Sequence, residues 1–219
     1  MLPGLDHLLI GAASLKSGMD WAAETFGVRP EFGGRHPDLG TENALLFMSD
    51  QTYIEVIAPT AGGEDTSVLS RELSRFKEPG LYRWCIRATH LSERKAALEA
   101  AGFAMGPVVA GSRTTKVGEP LTWTFMFPVE EVGPGPLPFI IDWQGGPHPT
   151  DGRVDQCIGQ CKGVTVHRNH RAHLETYLET ILGTSIMPLR AQTAAGWGVR
   201  MLLTPETHLD LLSSLPTKK

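Results

Sequence analysis

The chain has 219 residues, 24 acidic against 20 basic, giving a net charge of −4 and a pI near 6.1. That balance leaves no basic face for nucleic acid and no polybasic membrane anchor, and no stretch nears the roughly 20 apolar residues of a membrane span. Three cysteines, an odd number, make no disulfide framework and point to a reducing, cytoplasmic setting.

Residues 5–12 run apolar into Gly11-Ala12-Ala13-Ser14, which reads as a strand leading to a helix start. Ser14 is placed to cap that helix, Met19, Trp21, Ala22, Thr25 and Phe26 give it an apolar stripe, and Gly27 stops it. Residues 30–43, rich in glycine and polar groups, read as a strand and turn open to solvent or ligand. Strands at 44–48 and 52–58 follow as a hairpin. A connector, 60–80, holds a helix near 66–76. The order then repeats, with a strand at 81–88, a helix at 91–101 and strands at 107–115, 121–128 and 138–143. A linker, 144–153, precedes a third copy: a strand at 163–166, a helix at 170–182, and strands near 186–192, 199–204 and 208–213.

The interval from the first strand's end to the glycine after the helix is nearly constant. Ile10 to Gly27 is 17 positions, Ile86 to Gly102 is 16, and Val166 to Gly183 is 17. This self-similarity predicts an α+β protein of three βαβββ modules. Modules 1–59 and 80–144 form one domain, 1–150, and 151–219 is the third module. Aligned on Ile10, Ile86 and Val166, His7 corresponds to Arg83 and Gly163, and Glu55 to Asp142 and Asp210. Each last strand therefore carries a carboxylate.

Leu5-Asp6-His7-Leu8-Leu9-Ile10 and Gly34-Arg35-His36-Pro37-Asp38-Leu39-Gly40-Thr41-Glu42-Asn43-Ala44 resemble the vicinal oxygen chelate superfamily, in its glyoxalase-like branch. Tyr53-Ile54-Glu55-Val56-Ile57-Ala58-Pro59 and Leu137-Pro138-Phe139-Ile140-Ile141-Asp142-Trp143 add to the likeness, which covers residues 4–150 best. The resemblance implies βαβββ modules curling into a half-open, mixed-sheet barrel around a cavity, as in glyoxalases, bleomycin-resistance proteins and related dioxygenases. It also implies metal ligands from the first and last strands of two modules. On that pattern His7, Glu55, Arg83 and Asp142 meet in one cavity. Arg83 breaks the ligand set, because a guanidinium cannot coordinate a cation. It would instead pair with Asp142 in a fork, or bind an anionic ligand group.

Three readings of His7 and Glu55 stay open. With His36 they would make a two-histidine, one-carboxylate set for one divalent ion: iron, manganese, nickel or zinc. Without metal, Glu55 in an apolar cavity would act as a base, with His7 or His36 as partner. Alternatively, His7 is a barrel histidine hydrogen-bonded to Glu55. Arg35 and Arg113, at similar places in the first two copies, would hold an anion at the cavity mouth. Trp123 would stack on a flat ligand, whereas Trp84 and Trp143 alternate to the outer face. His167, His170 and His173 read as a solvated face. No P-loop, dinucleotide fingerprint or nucleophile elbow occurs, so no nucleotide cofactor is expected. The expected function is a glyoxalase-like lyase, isomerase or dioxygenase acting on a small anionic organic molecule. Its rival is a non-catalytic, drug-sequestering binding protein of the same superfamily. The unpaired third module either packs outside or completes a second half-barrel across a homodimer.

Overall fold

The computed structural model describes residues 4–48, 51–63, 66–115, 118–129, 136–153, 157–183, 189–192, 197–203 and 207–212. In the first module, β1 (Leu5–Gly11) leads into α1 (Leu15–Phe26), followed by β2 (Glu31–His36), β3 (Thr41–Phe47) and β4 (Tyr53–Pro59). The Ser14 hydroxyl accepts the Ser17 backbone N–H at 3.2 Å, and Gly27 closes the helix in the left-handed conformation at φ 72°. The buried face of α1 is Leu15, Gly18, Ala22 and Phe26, with Met19 and Trp21 half-buried at its margin. Gly18 sets how closely the helix sits: a Cβ there would lie 2.5 Å from Val56 Cγ1 and 2.9 Å from Ala12 Cβ. Alanine favours a helix by about 1 kcal/mol over glycine, but overpacking costs about 1–3 kcal/mol. Gly18→Ala should therefore lower the melting temperature. A raised midpoint would show that α1 is free to shift outward.

The second module follows a connector containing α2 (Val68–Leu73). Its elements are β5 (Gly80–Arg87), α3 (Leu91–Ala100), β6 (Val109–Thr115), β7 (Pro120–Met126) and β8 (Phe139–Asp142). In each module the first strand runs parallel to the last, giving the orders β1-β4-β3-β2 and β5-β8-β7-β6. The modules join along antiparallel β1 and β5, and again where β2 meets β6 at Gly34–Thr115 and Arg35–Thr114. The mixed-sheet barrel expected of two modules is present, and the short second seam closes it. Gly34 permits that seam, because a Cβ on it would lie 2.3 Å from the Thr114 carbonyl oxygen.

Alternation sorts the side chains. Leu8, Ile10, Ile54, Val56, Trp84 and Ile86 belong to the apolar core outside the barrel, while His7, Leu9, Tyr53, Glu55 and Ile57 line its interior. Two bulges interrupt the β1–β5 seam, with Asp6 and Tyr82 as the extra residues. They are equivalent positions, 76 residues apart like Ile10 and Ile86.

The third unit contains β9 (Gly159–His167), α4 (Arg171–Leu182), β10 (Leu189–Gln192), β11 (Trp197–Leu203) and β12 (Thr207–Leu212). Residues 186–188, 204 and 213 of its expected strands lie outside the described residues. It keeps the element order of a βαβββ module but not the pairing. Its sheet runs β10-β9-β11-β12, so the first strand never meets the last. Asp210, the counterpart of Glu55 by spacing, stands on edge strand β12 in a two-bond pair with Arg200, 2.7 Å at each bond. The unit packs on the outside of the barrel, α4 against α3, and the buried Tyr177 donates its hydroxyl to the Pro138 carbonyl at 2.9 Å. His170 and His173 are exposed, and the His167 side chain lies outside the described ones. Among the described residues, no helix is long and apolar enough to cross a membrane.

Candidate functional site

The barrel encloses a cavity of about 420 Å³. Trp123, Phe125 and Phe127 form one wall, and Phe139, Ile141 and Trp143 another. His7, His36, Asn43, Glu55, Arg83 and Arg113 line the same space. Such a volume, mostly apolar with a few converging polar groups, suits one small organic molecule.

Glu55 sits at the centre of the polar groups and is 7 % exposed. Asn43 donates from Nδ2 to its Oε1 at 2.7 Å, and His7 places Nε2 3.4 Å from its Oε2. His36 brings Nε2 to 4.0 Å from Oε1, while its Nδ1 is tied to the Thr41 hydroxyl at 3.0 Å. Beyond His7 stands Asp6, fully buried, with Oδ1 2.7 Å from Nδ1. Asp6 Oδ2 accepts Arg87 Nε at 2.7 Å and Trp143 Nε1 at 3.0 Å. Burial alone would raise the Asp6 carboxyl, but the imidazoles of His148 and His7 hold it well below the usual range. One imidazole thus lies between two carboxylates, with the Tyr53 ring stacked on its face at 4.6 Å.

Burial lowers the His36 pKa, with Arg113 and His7 adding to the effect and Glu55 opposing it. His36 is therefore neutral at neutral pH. On acidification through about pH 6.5 the unfolded chain takes up this proton before the folded one does. The stability His36 contributes above that pH is lost below it, at about 1.4 kcal/mol for each unit of difference. Urea unfolding midpoints should therefore fall between about pH 7 and pH 5, and less so in His36→Gln. An identical slope in the variant would assign the effect to other groups.

Arg113, 7 % exposed, donates to the Gly33 carbonyl, and no described carboxylate pairs with it. Arg83 packs its guanidinium 5.1 Å from the Tyr82 ring centre and 5.3 Å from that of Phe127. Two expected site residues lie elsewhere. Arg35 alternates with His36 on β2, so it points to solvent beside Glu42, with its side chain 70 % exposed. Asp142 also stays out of the cavity. Leu9 pairs with Glu55, and Cys85, its equivalent 76 positions on, pairs with Phe139. Phe139 therefore holds the Glu55 position, and Asp142 faces the other way, accepting the Gln144 backbone N–H at 2.7 Å. The same offset turns Trp143 inward rather than outward, whereas Trp84 stays in the outer core. Sequence reasoning passed over Asp6, Asn43 and His148. Asn43 lies on the same face of β3 as Thr41, and alternation could have found it; the bulge that turns Asp6 toward His7 leaves no mark in the sequence.

The resemblance implies a divalent ion held by first and last strands, and the residues present do not fit one. The second module offers Arg83 and Phe139 at its two ligand positions, and neither can coordinate a cation. Donor atoms of His7, His36 and Glu55 do not all lie within 4.8 Å of one another; among the described residues those of Asp6, His7 and Cys85 do. There, Asp6 is already occupied by Arg87, Trp143 and His7. Burial, with the charges of Asp6 and Glu55, pushes the Cys85 thiol well up, away from the ligating thiolate.

A family model described as a glyoxalase-like domain matches residues 5–181. No curated protein matches the chain. Among solved structures, a hypothetical protein from Staphylococcus aureus is 15% identical, with a TM-score of 0.65 over 94% of this chain and 84% of its own. A methylmalonyl-CoA epimerase from Mycobacterium tuberculosis is 20% identical, with a TM-score of 0.47 over 68% of this chain and 91% of the epimerase. Likeness at such identities speaks for the fold alone.

Proposed function

This chain belongs to the glyoxalase-like domain family of the vicinal oxygen chelate superfamily, and on that premise we propose that its cavity moves a proton on a small anionic organic molecule. The observation that carries the reading is Glu55 inside an apolar barrel, one oxygen held by Asn43 and the other facing a His7 braced by Asp6. A fixed carboxylate beside an imidazole is a general base with a partner that can pass the proton on. Arg113 supports an anionic ligand group, since a buried guanidinium with no described carboxylate partner favours one. The aromatic walls favour a flat or apolar body.

In this reading Glu55 takes the proton from the carbon next to a carboxylate or carbonyl, and the C–H electron pair becomes an enolate. Arg113 offsets the charge that gathers on the enolate oxygens. Returning the proton from Glu55 to another carbon of the same delocalised system completes an isomerisation; expelling a neighbouring leaving group completes a lyase reaction. Of the expected reaction types, these need only groups that the cavity holds. We place the activity in a reducing, cytoplasmic setting, supported by an odd count of three cysteines, which makes no disulfide framework.

The rival reading is sequestration without chemistry, favoured by Arg83 and Phe139 standing where the superfamily pattern places ligands. Proton NMR of a panel of small 2-oxo, 2-hydroxy and arylacetic acids in deuterated water separates the two. Catalysis predicts that at least one acid binds and loses its α-proton signal. Binding without exchange across the panel supports sequestration, and no binding at all would overturn the anion site.

A further inference from the structure

We infer that Asp6, clamped by Arg87, Trp143 and His148, is a positioning residue that keeps a proton on His7 Nδ1 and aims Nε2 at Glu55 and the ligand. The inference rests on the proton-transfer reading of the cavity. Successive residues of a strand point to opposite faces. The bulge in β1 breaks that rule at one place, so Asp6 Oδ1 comes to lie 2.7 Å from His7 Nδ1. An ionised carboxylate only accepts, so the proton of this bond belongs to Nδ1.

The clamp is itself held. Arg87 Nη2 lies 2.8 Å from His148 Nε2 and 3.1 Å from the Gln51 carbonyl. His148 Nε2 also stands 3.3 Å from Asp6 Oδ2, while its Nδ1 lies 2.6 Å from Thr150 Oγ1 and accepts the Thr150 backbone N–H at 3.3 Å. The start of β1, the end of β5 and the linker after β8 converge on one buried carboxylate. Satisfying a core histidine would take one hydrogen bond; the extra donors stop Asp6 from rotating. The equivalent bulge in the second module carries Tyr82 beside Arg83, where there is no imidazole to orient.

Long-range 15N–1H NMR of the wild-type imidazoles should show a proton on His7 Nδ1. In Asp6→Asn the amide oxygen turns to Arg87 and Trp143 and its NH2 faces His7, so the proton should move to Nε2. Exchange turnover should then fall on the order of 10²–10⁴-fold with KM changed less than about threefold. A wild-type His7 protonated on Nε2 alone would overturn the inference, and this reading survives even if Asp6→Asn does not fold. A folded Asp6→Asn that keeps the Nδ1 proton overturns it equally. If no acid exchanges in the wild type, the proton-transfer reading falls while the tautomer result still decides the positioning role.

Discussion

Glu55→Gln should still bind the acids that the wild type binds, and should slow exchange of their α-protons by about 10²–10⁴-fold. Glutamine has the shape of glutamate, and its carbonyl oxygen can keep the bond from Asn43 Nδ2, 2.7 Å long in the wild type. Its NH2 would then occupy the place of Oε2, facing His7 Nε2 across 3.4 Å, where a donor meets an acceptor. The packing survives and the basic oxygen does not. Arg113→Met should behave in the opposite sense, weakening binding by about 10–100-fold, because a charge-assisted contact contributes about 1.5–3 kcal/mol. Exchange at the wild-type rate in Glu55→Gln would remove Glu55 as the base. Loss of binding in Glu55→Gln with binding intact in Arg113→Met would invert the two roles.

The two-module barrel was legible because local signals and the repeat agree. Ser14 and Gly27 bound α1 as their chemistry requires, and the 76-residue offset from Ile10 to Ile86 survives as a structural equivalence of β1 and β5. Equivalence failed at the far end of the module, where loop length intervenes. From Leu9 to its partner Glu55 is 46 positions (55 − 9), while from Cys85 to Phe139 is 54 (139 − 85). Matching carboxylate to carboxylate chose Asp142, three residues past the paired position, and an odd shift puts a strand residue on the other face. Alternation already argued against Arg35 once His36 pointed inward. The third unit shows a different limit. Its strands have the expected order, but apolar strands do not name their neighbours, and β9 pairs with β10 and β11 instead of β12. Asp6 was hidden most deeply, since only the three-dimensional register reveals a bulge.

Arg83→His combined with Phe139→Glu should turn the cavity into a divalent-metal site. His7 on β1 and Glu55 on β4 already stand 3.4 Å apart, and the pseudo-twofold carries their positions onto Arg83 and Phe139. The double variant replaces a repelling cation and an inert ring with an imidazole and a carboxylate. That gives four donors of the kind zinc or nickel accepts. Elemental analysis of untagged protein should then find about one ion per chain, against a small fraction in the wild type. Adding the ion at about 100 times its Kd should stabilise the variant by about 2.7 kcal/mol and leave the wild-type melting temperature unmoved. Neither single change should suffice, because Arg83→His leaves the apolar Phe139 and Phe139→Glu leaves a guanidinium that pairs with the new carboxylate. A wild type that already holds a stoichiometric ion would show that His7, His36 and Glu55 close around it. A folded double variant that takes up none would mean that Phe139 is not the counterpart of Glu55. The pairing of Cys85 with Phe139 argues against that outcome, because it fixes the two-fold relation from backbone register and not from side-chain likeness.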